Sequence, residues 1–149
     1  MIDMKRMREQ LILHEGLKLM PYRCTSDKLT IGVGRNLDDR GISEETAMQM
    51  LDEDINIVHG ELLKAIPEFT SYPNAVQESL VDLAFNMGTP TLLKFKATLA
   101  ALNSQQMCIA SRELLDSRYA RQVGQRAVTI SENIRASCKC TGCMLMMSE

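Results

Sequence analysis

A chain of 149 residues, 45% of them apolar and 24% charged, has the size and balance of one globular domain with a real core. A net charge of -2 supplies no basic excess for a nucleic-acid partner, and no apolar run is long enough to span a membrane. Five cysteines, an odd number, follow a polar start, MIDMKRMREQL, that carries no secretory signal; reduced thiols and a cytoplasmic location are therefore expected.

Residues 3–14 read as a helix with Met4, Met7 and Leu11 on one face, and Gly16 suits a left-handed cap that ends the helix at Glu15. Short strands are expected at residues 22–25 and 29–33, around a polar turn at Ser26-Asp27-Lys28. Gly32 and Gly34 imply a bend or a close backbone approach rather than simple pairing. Ser43 is a good helix cap, and Ala47, Leu51, Ile55, Val58, Leu62 and Ile66 predict one long helix stopped near Pro67. Pro73 fits a first-turn position before the stripe Val76, Leu80, Leu83 and Met87, which ends at Gly88. Further helices are expected at 92–102, 105–115 and 125–135. The fold class is α+β and mostly helical. A small antiparallel β lobe (about 14–42) is joined by a connecting helix (about 43–66) to a helical lobe (about 67–135), with the first helix packed on that lobe.

The densest chemistry lies in HEG at residues 14–16, YRCT at 22–25 and LTIGVG at 29–34. An acid stands at a helix end, with a thiol and a hydroxyl on the segments that follow. Glycoside cleavage needs such an acid beside the leaving oxygen and a second group that handles water or the sugar. Glu15 is flanked by apolar Leu13, Leu17 and Leu19, which are expected to desolvate it. Composition and spacing alone leave the function open, because a solvated helix-end carboxylate, a buried small cysteine and an ordinary strand threonine fit the same residues.

The segment HEGLKLMPYRCTSDKLTIGVGRNL resembles the active-site segment of the phage-type lysozymes, a family of glycoside hydrolases that includes endolysins. That family has a glutamate before glycine at a helix end, an aspartate nine positions on and a threonine six after that. Here those positions hold Glu15, Cys24 and Thr30. AFNMG at 84–88, Ser117-Arg118-Tyr119 with Gln122, and Gln125-Arg126-Ala127 resemble later family segments, so the likeness runs to about residue 135. The resemblance implies a lysozyme-like fold and hydrolysis of the β-1,4 bond between N-acetylmuramic acid and N-acetylglucosamine in peptidoglycan. It makes Glu15 the general acid, puts Cys24 where the family has its aspartate, and gives Thr30 the attacking water. Arg126 matches the arginine assigned to the glutamate; Tyr22, Asn86 and Gln122 join it as candidate substrate contacts.

Cysteine in place of aspartate is a departure. A thiol near neutrality is mostly protonated unless a positive neighbour lowers its pKa, and Arg23 and Arg35 are the candidates. A thiol hydrolase pairing Cys24 with His14, or a non-catalytic peptidoglycan-binding relative of the fold, are the rival readings. The segment 136–149 departs as well. It lacks the family's tryptophan, and Cys138, Cys140 and Cys143 form an incomplete zinc site, so no metal and no cofactor are expected. The expected protein is a monomeric endolysin that waits in the host bacterial cytoplasm for a holin-like permeabilising partner.

Overall fold

Asp3 opens the first helix by accepting the N–H of Arg6 on its side chain at 3.1 Å, and α1 runs Met4–Glu15. Gly16 ends it at φ 77°, with its N–H on the Ile12 carbonyl at 2.8 Å. Glycine accepts this left-handed turn without the steric cost that a Cβ brings, which leaves Glu15 as the last helical residue. In this computed structural model residues 1–139 are described; Cys140 and Cys143 of the tail expectation lie outside the described residues. The chain forms two compact units, Met1–Met50 and a second that begins at Leu51.

The first unit holds the sheet. Strands β1 (Lys18–Arg23), β2 (Leu29–Gly32) and β3 (Arg35–Asn36) pair antiparallel in the order β1-β2-β3. Tyr22 lies opposite Thr30, and Arg23 opposite Leu29. The register is irregular between Lys18 and Tyr22, the stretch that contains Pro21, which has no N–H to give a ladder. The expected strand 22–25 is thus displaced. β1 starts earlier and stops at Arg23, because Cys24 enters the turn: its N–H bonds the Lys28 carbonyl at 3.0 Å, and its carbonyl accepts the N–H of Asp27 at 2.9 Å. The earlier start was hidden because Leu19 and Met20 are both exposed, so no buried face generates an alternating pattern. Helix α2 (Leu37–Arg40), not foreseen, is capped by Asn36, whose side chain accepts the Asp39 N–H at 3.0 Å.

Helix α3 (Glu44–Ala65) starts where Ser43 predicts, with Ser43 Oγ accepting the N–H of Thr46 at 3.1 Å. It runs from the first unit into the second. Its apolar stripe is buried only at the far end: Leu62 is fully covered, whereas Leu51 and Ile55 stay exposed.

In the second unit a 3-10 turn (Phe69–Ser71) leads into α4 (Asn74–Met87), α5 (Thr89–Leu92), α6 (Lys96–Asn103), α7 (Met107–Leu115), α8 (Arg118–Val123) and α9 (Gln125–Ala136). Pro73 is the cap of α4 rather than its first turn. The stripe on α4 is core as expected, with Val76, Leu80 and Leu83 fully buried against Phe69, Leu92, Leu102, Leu114, Ile130 and Ile134. The expected helix 92–102 is divided, since Phe95 leaves helical geometry with ψ 59° and caps α6. α7 packs on α6 and α9, and α4 packs on α5 and α9. Between α7 and α9 the buried hydroxyls of Ser111 and Ser131 meet at 2.6 Å. Ser131 also donates to the Ser111 carbonyl at 3.1 Å, so the Ser111 proton falls to Ser131 Oγ and both groups are satisfied. Cys108, on α7, is disulfide-bonded, which corrects the expectation of reduced thiols throughout.

Candidate active site

Helix α1 delivers Glu15 at its last position, where the chain turns at Gly16. The carboxylate is exposed, and so are Leu13, Leu17 and Leu19, so the expected apolar desolvation of Glu15 is absent. The reason is local. Its apolar neighbours in sequence lie on a helix end and an edge strand that no other element of the first unit covers. What does approach Glu15 is Gly34, at φ 70°: a Cβ built there would lie 3.4 Å from Glu15 Oε2. Glycine at 34 leaves room for the carboxylate, and the close approach read from the sequence has its reason here.

Cys24 is half-buried at the mouth of the turn, not on a strand. Hydrogen bonding from the backbone of Lys28, and then of Ser26, lowers the thiol below its ordinary range; partial desolvation works against this, and the Thr30 hydroxyl adds to it. The cause is a ring of donors presented by the tight turn, not a guanidinium. Arg23 donates from Nη1 to the Asp27 carbonyl at 3.0 Å and sits 3.5 Å from Asp38, while Arg35 donates from Nε to the Gly41 carbonyl at 2.9 Å. The expected arginine neighbours are therefore spent elsewhere.

Thr30 is buried on β2, and its hydroxyl donates to the Lys28 carbonyl at 2.9 Å. The same hydroxyl is a hydrogen-bond partner of Cys24. Tyr22, opposite Thr30, carries the Lys18 ammonium 4.1 Å from its ring centre. The turn is braced from α2. Asp38 accepts the Leu29 N–H at 2.8 Å, and Asp39 takes the Lys28 ammonium at 2.9 Å. That ion pair raises Lys28 and lowers Asp39 from their ordinary ranges, each first through the shared hydrogen bond. Sequence reasoning missed Asp38 and Asp39. Their one local signal was the capping residue Asn36, whose Nδ2 donates to Asp39 at 2.8 Å.

The other candidates lie in the second unit. Asn86 on α4 and Gln122 on α8 are exposed. Arg126, in the first turn of α9, donates from Nε to Asp82 Oδ1 at 2.8 Å, and its Nη2 bonds both that oxygen and, at 3.3 Å, the Asp82 carbonyl. Asp82, on α4, is 44 residues away and was not singled out. Both residues line a groove of about 550 Å³ with apolar Leu51, Ile55, Val81 and Phe85. No cluster of metal-ligating residues exists among the described residues.

The order of these residues along the chain has a family match. The model of the phage lysozyme family covers residues 13–134, most of the chain and all of the segments above. The chain belongs to the phage lysozyme family. No curated protein matches it. The matched span begins two residues before Glu15 and closes inside α9, so it takes in the sheet, the long helix and the helical unit. Membership carries a lysozyme-type function and peptidoglycan as substrate class. The α+β architecture, a three-stranded antiparallel sheet followed by a long helix and a helical unit, is the lysozyme-like fold expected. No helix among the described residues is long and apolar enough to cross a membrane.

Proposed function

We propose that the protein is an endolysin with muramidase activity, cutting the β-1,4 bond between N-acetylmuramic acid and N-acetylglucosamine to lyse the host cell. The observation that carries this reading is the donor ring around Cys24. The backbone of Lys28 and Ser26 and the Thr30 hydroxyl all lower the thiol at the position where the chain has cysteine for the family's aspartate, which favours its ionised form. An anion at that position does what the family's aspartate does. Glu15 gives its proton to the glycosidic oxygen as the bond to C1 breaks. Water, oriented by Thr30, adds to C1 and passes its proton to the Cys24 sulfur. Two groups with opposite proton duties are what glycoside hydrolysis requires.

Tyr22, Asn86, Gln122 and Arg126 are assigned to glycan contact on their family positions. The protein acts as a monomer and needs no cofactor, and it reaches the wall from the cytoplasm once a holin-like protein has opened the membrane. A thiol hydrolase is less well supported, since the groups that converge on the Cys24 sulfur are Lys28, Ser26 and Thr30 rather than His14.

The test is release of reducing ends from purified peptidoglycan. The native protein should release them, while Glu15→Gln and Cys24→Ala should fold normally and lose at least about a hundredfold in rate. Full activity in Glu15→Gln would overturn the mechanism. Binding without release by the native protein would make it a non-catalytic wall-binding relative.

A further inference from the structure

Arg126 and Asp82 form an ion pair that stability does not explain. The two side chains are 40% and 46% exposed, and ion pairs so open to solvent contribute little to stability. Yet the geometry is specific. Two nitrogens of the guanidinium, Nε and Nη2, are drawn onto one carboxylate oxygen, and Nη2 also reaches the Asp82 carbonyl. The pair holds one edge of the planar group to α4. A flexible side chain of high rotamer entropy is thereby fixed in one orientation on the wall of the groove. Within reach of both charges is Tyr119, 8% exposed, whose hydroxyl has no hydrogen-bond partner among the described residues. Burial pushes the phenol's pKa above its ordinary range and so disfavours its ionisation, and the charges of Arg126 and Asp82 act on it in opposite directions.

We propose that Asp82 is a positioning residue, which sets the guanidinium of Arg126 so that its remaining donors meet the glycan. This rests on the muramidase reading above and deepens it, since Arg126 is there a substrate contact. Asp82 itself touches no substrate. The guanidinium matters as a fork with one edge already committed, and an ammonium in its place keeps the charge but loses the fork.

The consequence is a particular kinetic signature. A contact made equally in ground and transition states appears in KM and leaves kcat largely unchanged. Asp82→Asn should raise KM for soluble peptidoglycan fragments about tenfold, with kcat within about twofold and thermal stability nearly unchanged. Arg126→Lys should do the same. The double variant should be scarcely worse than either single one, because residues that act as one unit are not additive. Asp82→Glu, which restores a carboxylate, should recover part of the loss. Independently of activity, the Arg126 Nε–H resonance in a ¹⁵N spectrum should be well resolved in the native protein and lost to exchange in Asp82→Asn. Native KM in Asp82→Asn, additive effects in the double variant, or an unchanged Nε–H signal would each overturn the assignment. Inactivity of the native protein would overturn the muramidase reading, and this one with it, whereas an active native protein with an unaltered Asp82→Asn overturns this one alone.

Discussion

In the proposed mechanism Cys24 stands in for an aspartate, and its turn is what makes that chemically reasonable. A carboxylate is an anion near neutrality in almost any exposed setting, but a thiol has to be made one, and here the backbone N–H of Lys28 contributes most. The sign for titration follows directly. Donors to the sulfur favour its ionised form, so the thiolate persists to lower pH than in an unfolded chain, where half-ionisation comes near 9.0. Alkylation of Cys24 with iodoacetamide, followed by mass spectrometry of its peptide, should therefore show a midpoint below that value. Unfolding in denaturant should restore the ordinary midpoint, and Thr30→Val should move it part of the way up. A midpoint in the folded protein at or above that of the unfolded chain would remove the thiolate from the mechanism. The donors were not legible in the sequence, which offered Arg23 and Arg35 as neighbours. A side chain's charge is visible in a sequence, whereas the direction of a backbone N–H depends on the turn that carries it.

The elements form where caps and stripes place them, and they depart where tertiary contacts replace local signals. Asp3, Ser43 and Gly16 set the ends of α1 and α3, because a capping side chain or a left-handed glycine acts within one helical turn. The break between α5 and α6 carries no glycine or proline at Phe95 and could not be read in advance. Pairing of α7 with α9 depends in part on two hydroxyls, Ser111 and Ser131, each of which would be costly to bury alone. Ser111→Ala or Ser131→Ala should each cost about 1–3 kcal/mol in denaturant unfolding, since each leaves a buried polar group unpaired. The double alanine variant should cost clearly less than the sum. Strict additivity would mean that the two hydroxyls do not act as a pair.

At the scale of the molecule, the apolar core belongs to one unit. Among the described residues every buried apolar side chain lies between Leu62 and Ile134, whereas the only buried residue of the first unit is the polar Thr30. A three-stranded sheet with no buried apolar side chain has little burial to set against chain entropy. Hydrogen exchange should therefore be slowest in α4, α7 and α9, and the amides of β1 and β2 should exchange through openings of clearly lower free energy. Uniform protection across both units would show a single cooperative body instead. The same asymmetry suits a site: Glu15, Cys24 and Thr30 stand on the part of the chain least tied to the core, where exposed polar groups are affordable.

The sequence by itself determined that a glutamate ends a helix, that two glycines mark a bend or close backbone approach after it, that one long capped helix follows, and that helices with a buried stripe come after that. Each of these depends on residues a few positions apart, whose chemistry acts through local backbone geometry. Its likeness to the phage lysozymes then named the family, because the order of Glu15, Cys24 and Thr30 is itself a sequence property. Tertiary structure alone decided that Leu13, Leu17 and Leu19 leave Glu15 uncovered, that Cys24 is held by turn amides, and that Arg126 is committed to Asp82 across 44 residues. These outcomes are decided by which surfaces meet, and a local pattern of residue types carries no record of the partner that a folded chain brings to it.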